Sequence, residues 1–341
     1  MDRIDLSQTS HKNGNIFGLP FIDEDAELIL FPVPWEVTVS YRAGTVNGPH
    51  AILDASSQLD LFRNRYENAW EHGIFMRPIP ISWQEQSNAL RILSIEIIQA
   101  LEEGKLLTTR QKQTQALINQ SCDALATWVE EETGNLLDAG KKVGLIGGDH
   151  STPLGFYRAL ANRHPNFGIL QIDAHMDLRD QYEGFTQSHA SIMHNALQLP
   201  QITRLVQVGI RDYSEPEVMV TKQHPDRYKI FYDEDLKAGQ FKGETWHQQV
   251  EKIIQTLPEH VYLSVDIDGL NPSLCPHTGT PVPGGLSFEQ AIYLIQTLEI
   301  SGKKLIGFDL VEVAPGTLPD DLDGNVGARV LYQLCMSLLT N

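Results

Sequence analysis

The chain has 341 residues, 41% hydrophobic and 21% charged, with a formal net charge of −18; these values exclude a disordered chain and a fibrous repeat. The acid excess disfavours nucleic acid and anionic membranes as partners while tolerating a small cationic molecule, and no stretch approaches the roughly 20 apolar residues that a membrane-spanning helix needs. The opening MDRIDLSQTSHKNG lacks the basic flank and apolar core of a secretory signal, and Cys122, Cys275 and Cys335 are odd in number with no C-x-x-C pair, so reduced thiols and a cytoplasmic location are expected.

Residues 1–25 read as an N-terminal extension and residues 26–341 as a single domain, because no repeat or Gly/Ser linker divides them. In chain order, a short apolar strand at 27–31 is followed by helical periods at 91–101 and 114–139. A strand at 143–146 then runs into Gly147-Gly148-Asp149-His150-Ser151, and a helix follows at 153–163. The strand FGILQI at 167–172 leads into Asp173-Ala174-His175-Met176-Asp177. Strands at 204–208 and 229–232 and a helix at 245–255 precede the strand at 261–265, which ends in the run holding Asp266 and Asp268. A helix at 287–297, a strand at 304–308 running into Asp309-Leu310-Val311-Glu312, and a helix at 325–339 complete the chain. Strands alternating with helices predict a mainly parallel sheet joined by crossover helices. Polar clusters at four strand ends then fall where open α/β sheets collect their ligands.

Each cluster has a bland reading beside the functional one. Gly147-Gly148-Asp149-His150 reads equally as a sharp turn holding a hydrogen-bonded histidine; the Gly-x-x-x-x-Gly-Lys-Ser/Thr spacing of a phosphate loop is absent. Asp173, His175 and, where the chain stays extended, Asp177 alternate along the backbone and share one face. Asp266 and Asp268 repeat that spacing; two adjacent carboxylates repel unless a proton or cation lies between them, though both could equally cap the turn at Gly269. Taken together, two histidines and four aspartates are too rich in carboxylate for a structural zinc site. They are also too many for one catalytic ion, and they suit a pair of harder divalent ions such as Mn²⁺. No Gly-x-Ser-x-Gly elbow points to a serine hydrolase.

The ordered set GGDHS, DAHMD, SVDIDGLNP, TGTPVPGG and FDLVEVAP resembles the ureohydrolase family of arginases, agmatinases, guanidinobutyrases and formiminoglutamases. The resemblance implies a three-layer α/β/α domain with a mostly parallel eight-stranded sheet, whereas only seven strands are read from the sequence. It implies one Mn²⁺ on His150, Asp173, Asp177 and Asp266 and a second on Asp173, His175, Asp266 and Asp268, with Ni²⁺, Co²⁺ or Fe²⁺ as alternatives. It also implies a trimeric or hexameric homo-oligomer. Glu312 would hold a cationic guanidino substrate, Asp177 would handle a proton, and His189 in SHASIM would contact substrate or shuttle protons.

DLRDQYEG, SHASIM, YRAGTVNGPHAIL and GIRDYSEPE are most similar to agmatinases, so the expected reaction is agmatine to putrescine and urea. Guanidinobutyrate, guanidinopropionate, guanidine, formiminoglutamate and arginine are alternatives, as is a non-catalytic metal-binding homologue. Phe185 and Gln187 lie where arginases carry Ser and Asn, which disfavours arginine. Asn271 stands where many relatives have Asp. Arg179 would suit a carboxylate-bearing substrate if it faces the cleft, and would be uninformative if it pairs with Asp180 or Glu183. Deacetylases share this fold and an Asp-x-His motif but hold a single Zn²⁺ with fewer ligands.

Overall fold

The computed structural model describes residues 14–66, 68–316 and 322–341. Eight strands form one sheet: β1 Leu28–Val33, β2 Ile74–Met76, β3 Lys142–Gly147, β4 Phe167–Ile172, β5 Ile202–Ile210, β6 Tyr228–Tyr232, β7 His260–Asp266 and β8 Lys304–Val311, in the order β2-β1-β3-β8-β7-β4-β5-β6. Every neighbouring pair is parallel, so the sheet is uniformly rather than mostly parallel. β1 and β4 are buried along their whole length, as expected of strands covered by helices on both faces. The strand that periodicity does not reveal is β2, a three-residue edge element after Gly73 and before Arg77-Pro78.

The predicted helices are present with shifted ends. The helix Ile81–Glu102 begins ten residues before the predicted 91; its first turns, ISWQEQSNAL, are mostly exposed and Pro80 provides no side-chain cap, so neither an apolar stripe nor a capping residue marks its start in the sequence. The helices Thr109–Asp138, Trp246–Gln255 and Phe288–Glu299 start at Thr108, Thr245 and Ser287, whose hydroxyls accept from the backbone N–H of Gln111, Gln248 and Gln290. These are reciprocal capping boxes, in which the glutamine also reaches back to the cap residue's N–H. The helix Leu322–Thr340 is buried along most of its length and packs on the helix Gly48–Ser56, which the sequence reading passed over. Of the segment read as an extension, residues 1–13 lie outside the described residues. Ile16, Phe17 and Leu19 are fully buried, and the Phe17 ring meets Tyr332 edge-on with centroids 5.1 Å apart.

The sheet order places the chemistry. β3, β8, β7 and β4 are four consecutive strands at its centre, and they carry the four polar clusters at their carboxyl ends. Pairing of Ile146 with Leu310, Asp266 with Val311 and Ile172 with Val265 keeps those ends level. Strands about 4.8 Å apart therefore bring their terminal side chains within reach of a common centre.

Candidate metal centre

Two glycines let the strand ends approach one another. A Cβ on Gly148 would strike the Trp35 carbonyl, and one on Gly269 would lie 2.7 Å from the Asp173 nitrogen. Beyond Gly148 the chain turns and brings His150 over the sheet, fully buried.

His150 Nδ1 lies 3.0 Å from Asp173 Oδ2, 3.1 Å from Asp177 Oδ2 and 3.2 Å from Asp266 Oδ2, yet it forms no well-directed hydrogen bond. Two ligand atoms each about 2.1 Å from one ion and at right angles are about 3.0 Å apart. An orphaned nitrogen surrounded by carboxylate oxygens at that spacing fits a divalent cation. A second group shares Asp173: His175 Nδ1 is 3.1 Å from Asp268 Oδ2 and 3.5 Å from Asp173 Oδ1. The two oxygens of Asp173 thus face different groups, as a bridging carboxylate requires. Asp266 turns Oδ2 toward the first group, while its Oδ1 accepts from the Asp268 N–H at 2.8 Å.

The chain does not stay extended through Asp177. That residue has φ of 56° and Glu312 has 63°, a left-handed region costly for residues with a side chain. The kink does not remove Asp177 from the cluster; it turns the carboxylate back toward His150. Glu312 is buried and accepts from the His150 N–H at 2.9 Å.

The electrostatics are those of a site built for positive charge. Burial and the charge of Asp173 push the Asp177 carboxyl up to about 7. Burial with the charges of Asp268 and Asp173 raises Asp266 well above the carboxylate range, and burial with Asp149 raises Glu312. Burial alone would lower both histidines, but Asp173, Asp177 and Asp266 around His150, and Asp268 and Asp173 around His175, lift them well above 6.5. Burial would likewise raise Asp173, yet the His150 and His175 imidazoles beside it hold it below the usual range. Without a metal, protons occupy the positions that cations would take.

A cavity of about 140 Å³ opens beside the second group, lined among others by His175, Asp177, Arg179, His189 and Asp212. His189 is half-buried, with Nε2 3.3 Å from Ser40 Oγ. Burial, then the positive charges of His175, His150 and Arg91, push it down to about 3. Arg179 faces this cavity: its guanidinium stacks 4.8 Å from the Tyr182 ring centre, and among the described residues it forms no ion pair with Asp180 or Glu183. Phe185 and Gln187 are buried away from it, Gln187 donating to Asp123. Asn271 Oδ1 accepts from the Ser273 N–H at 3.0 Å, closing a local turn.

Ser264, Asp309 and Tyr157, to which the sequence assigns no role, form a hydrogen-bonded group behind His150. The period of two along β7 puts Ser264 on the same face as Asp266, a signal that was available. Asp309 was visible as part of the fourth cluster, but nothing in the sequence shows that it points behind the site.

Comparison with known proteins gives the family of the chain. The arginase family model matches residues 26–339. The N(1)-aminopropylagmatine ureohydrolase of Synechocystis sp. is 30% identical over 294 residues, 85% of this chain and 82% of that one. The agmatinase of Neisseria meningitidis serogroup C is 30% identical over 315 residues, 92% and 87% of the two chains. In fold, the proclavaminate amidino hydrolase from Streptomyces clavuligerus superposes with a TM-score of 0.74 at 19% identity, covering 98% of this chain and 99% of the other. The chain belongs to the arginase family and stands with its agmatinase-like ureohydrolases.

Proposed function

We propose that this protein hydrolyses the guanidino group of a small cationic substrate, releasing urea and an amine, with two Mn²⁺ ions held by His150, Asp173, His175, Asp177, Asp266 and Asp268. The observation that carries the reading is the pair of donor groups sharing Asp173. Nitrogen and carboxylate donors without thiolate suit Mn²⁺, and also Ni²⁺, Co²⁺ or Fe²⁺. When bound, the ions supply water activated for attack at neutral pH and positive charge opposite the developing negative charge.

The chain's own groups do the rest. Glu312, fixed by the His150 N–H, orients the guanidinium through its carboxylate. Asp177 Oδ2, at the junction of the first group and the cavity, accepts the proton lost by water and returns it to the departing nitrogen. The products are urea and a protonated amine. His189, kept neutral, contacts the leaving amine through Nε2 in partnership with Ser40. We further propose a trimeric or hexameric homo-oligomer.

Agmatine, or agmatine extended by an aminopropyl group, suits the cavity's exposed Asp212 carboxylate, and the curated relatives named above act on such compounds. A second reading rests on Arg179, whose cation lines the cavity without an ion pair among the described residues and suits the carboxylate of guanidinobutyrate. Urea release from agmatine, aminopropylagmatine, guanidinobutyrate and arginine by the Mn²⁺-loaded protein separates these readings. Turnover of the first two supports the cationic tail, turnover of guanidinobutyrate the second reading, and turnover of none contradicts hydrolysis.

A further inference from the structure

Behind His150, on the side away from the cavity, runs a chain of buried polar groups that the reaction does not use directly. His150 Nε2 lies 2.9 Å from Ser264 Oγ; Ser264 Oγ donates to Asp309 Oδ1 at 2.9 Å; Tyr157 OH is 3.2 Å from both Ser264 Oγ and Asp309 Oδ2. All four residues are fully buried. Ser264 lies on β7, Asp309 on the neighbouring β8, His150 in the turn after β3 and Tyr157 on the helix Leu154–Ala161 that follows it, so the relay runs beneath the site.

A hydroxyl has one hydrogen and two acceptor lone pairs. With its hydrogen committed to Asp309, Ser264 can only accept from His150; in the neutral imidazole that a metal ligand must be, this places the hydrogen on Nε2 and leaves the Nδ1 lone pair facing Asp173, Asp177 and Asp266.

We infer that Asp309, acting through Ser264, is a positioning residue that fixes the tautomer and ring orientation of His150 and so makes His150 Nδ1 a ligand for the first metal ion. The inference rests on the dinuclear reading above. Hydrogen-bond partners of ligating histidines are typically worth about 10- to 100-fold in metal affinity. An amide at position 309 can present N–H to Ser264, turning the serine hydrogen toward His150 and the imidazole hydrogen onto Nδ1, where it blocks the ligand lone pair.

The test is manganese binding by equilibrium dialysis with elemental analysis, read alongside the electron paramagnetic resonance of the manganese-loaded protein, for wild type and the variants Asp309→Asn, Ser264→Ala and Tyr157→Phe. Wild type is expected to bind about two ions per chain; a single ion there overturns the dinuclear reading itself, independently of the relay. Asp309→Asn and Ser264→Ala are expected to weaken one of the two ions about 10- to 100-fold and to replace the coupled-pair signal by that of isolated manganese. Tyr157→Phe, which leaves the Ser264–Asp309 bond in place, is expected to retain both ions. Circular dichroism of the metal-free proteins checks folding; if Asp309→Asn does not fold, the smaller change Ser264→Ala decides. Two ions bound with wild-type affinity by a folded Asp309→Asn or Ser264→Ala protein overturn the inference, as does equal weakening by Tyr157→Phe.

Discussion

At the scale of single residues, the site combines groups that are unfavourable alone. Asp177 and Glu312 adopt positive φ, and Asp177, Asp266 and Glu312 are buried carboxyls held above their ordinary range; each becomes favourable only beside a cation. Asp177 gives the sign of the pH dependence. Its pKa in the metal-free fold is raised to about 7, so its contribution to stability is fully present below its unfolded value of about 3.9 and is lost as pH rises through about 7. Metal ions displace that proton. Manganese is therefore expected to raise the melting temperature more at pH 8 than at pH 5.5, and a shift equal at both pH values, or larger at the lower, contradicts this assignment. Glu312→Gln removes the charge that orients the guanidinium while keeping the shape that accepts from His150 N–H. A charge-assisted hydrogen bond is worth about 1.5–3 kcal/mol, so kcat/KM is expected to fall about 10- to 100-fold with both manganese ions retained. Loss of an ion instead would make Glu312 part of the metal cradle.

At the scale of elements, the site depends on how closely strand ends can approach. Gly148 faces the Trp35 carbonyl with no room for a methyl group, so Gly148→Ala must push the β3 turn, and His150 with it, away from the other ligands. Overpacking of this kind costs about 1–3 kcal/mol; chemical denaturation of the metal-free variant should show that loss, and a stability unchanged from wild type would mean that the turn can absorb a methyl group. The same scale explains what was legible in the sequence. Six of the eight strands coincide with apolar runs of Ile, Val and Leu read at nearly the same positions, and a seventh, β6, with the aromatic run YKIFY. β2 is three residues long and carries too short a period to detect. The helix Ile81–Glu102 is legible only in its second half because its exposed first turns have no apolar stripe, and Glu215–Gln223 and Asp233–Phe241 are not legible because they are short and largely polar.

At the scale of the whole molecule, the decisive quantity is strand order. The alternation of strands and helices predicts a parallel sheet but does not say that β8 lies between β3 and β7, which is what brings residues 150, 173, 266 and 312 together. Resemblance to a family supplied the convergence that spacing along the chain could not. It did not supply the relay beneath His150, because Ser264, Asp309 and Tyr157 come from three separate segments and meet only once the sheet is assembled. Nor does it say where Arg179 points, since stacking on Tyr182 is a property of the folded loop.

The central claim is that these strand ends hold two ions and not one. Anomalous scattering from crystals grown with saturating manganese measures this directly. Two peaks about 3.5–4 Å apart are expected, one against His150 and one against His175, with Asp173 between them. A single peak, or manganese found away from these side chains, would contradict it.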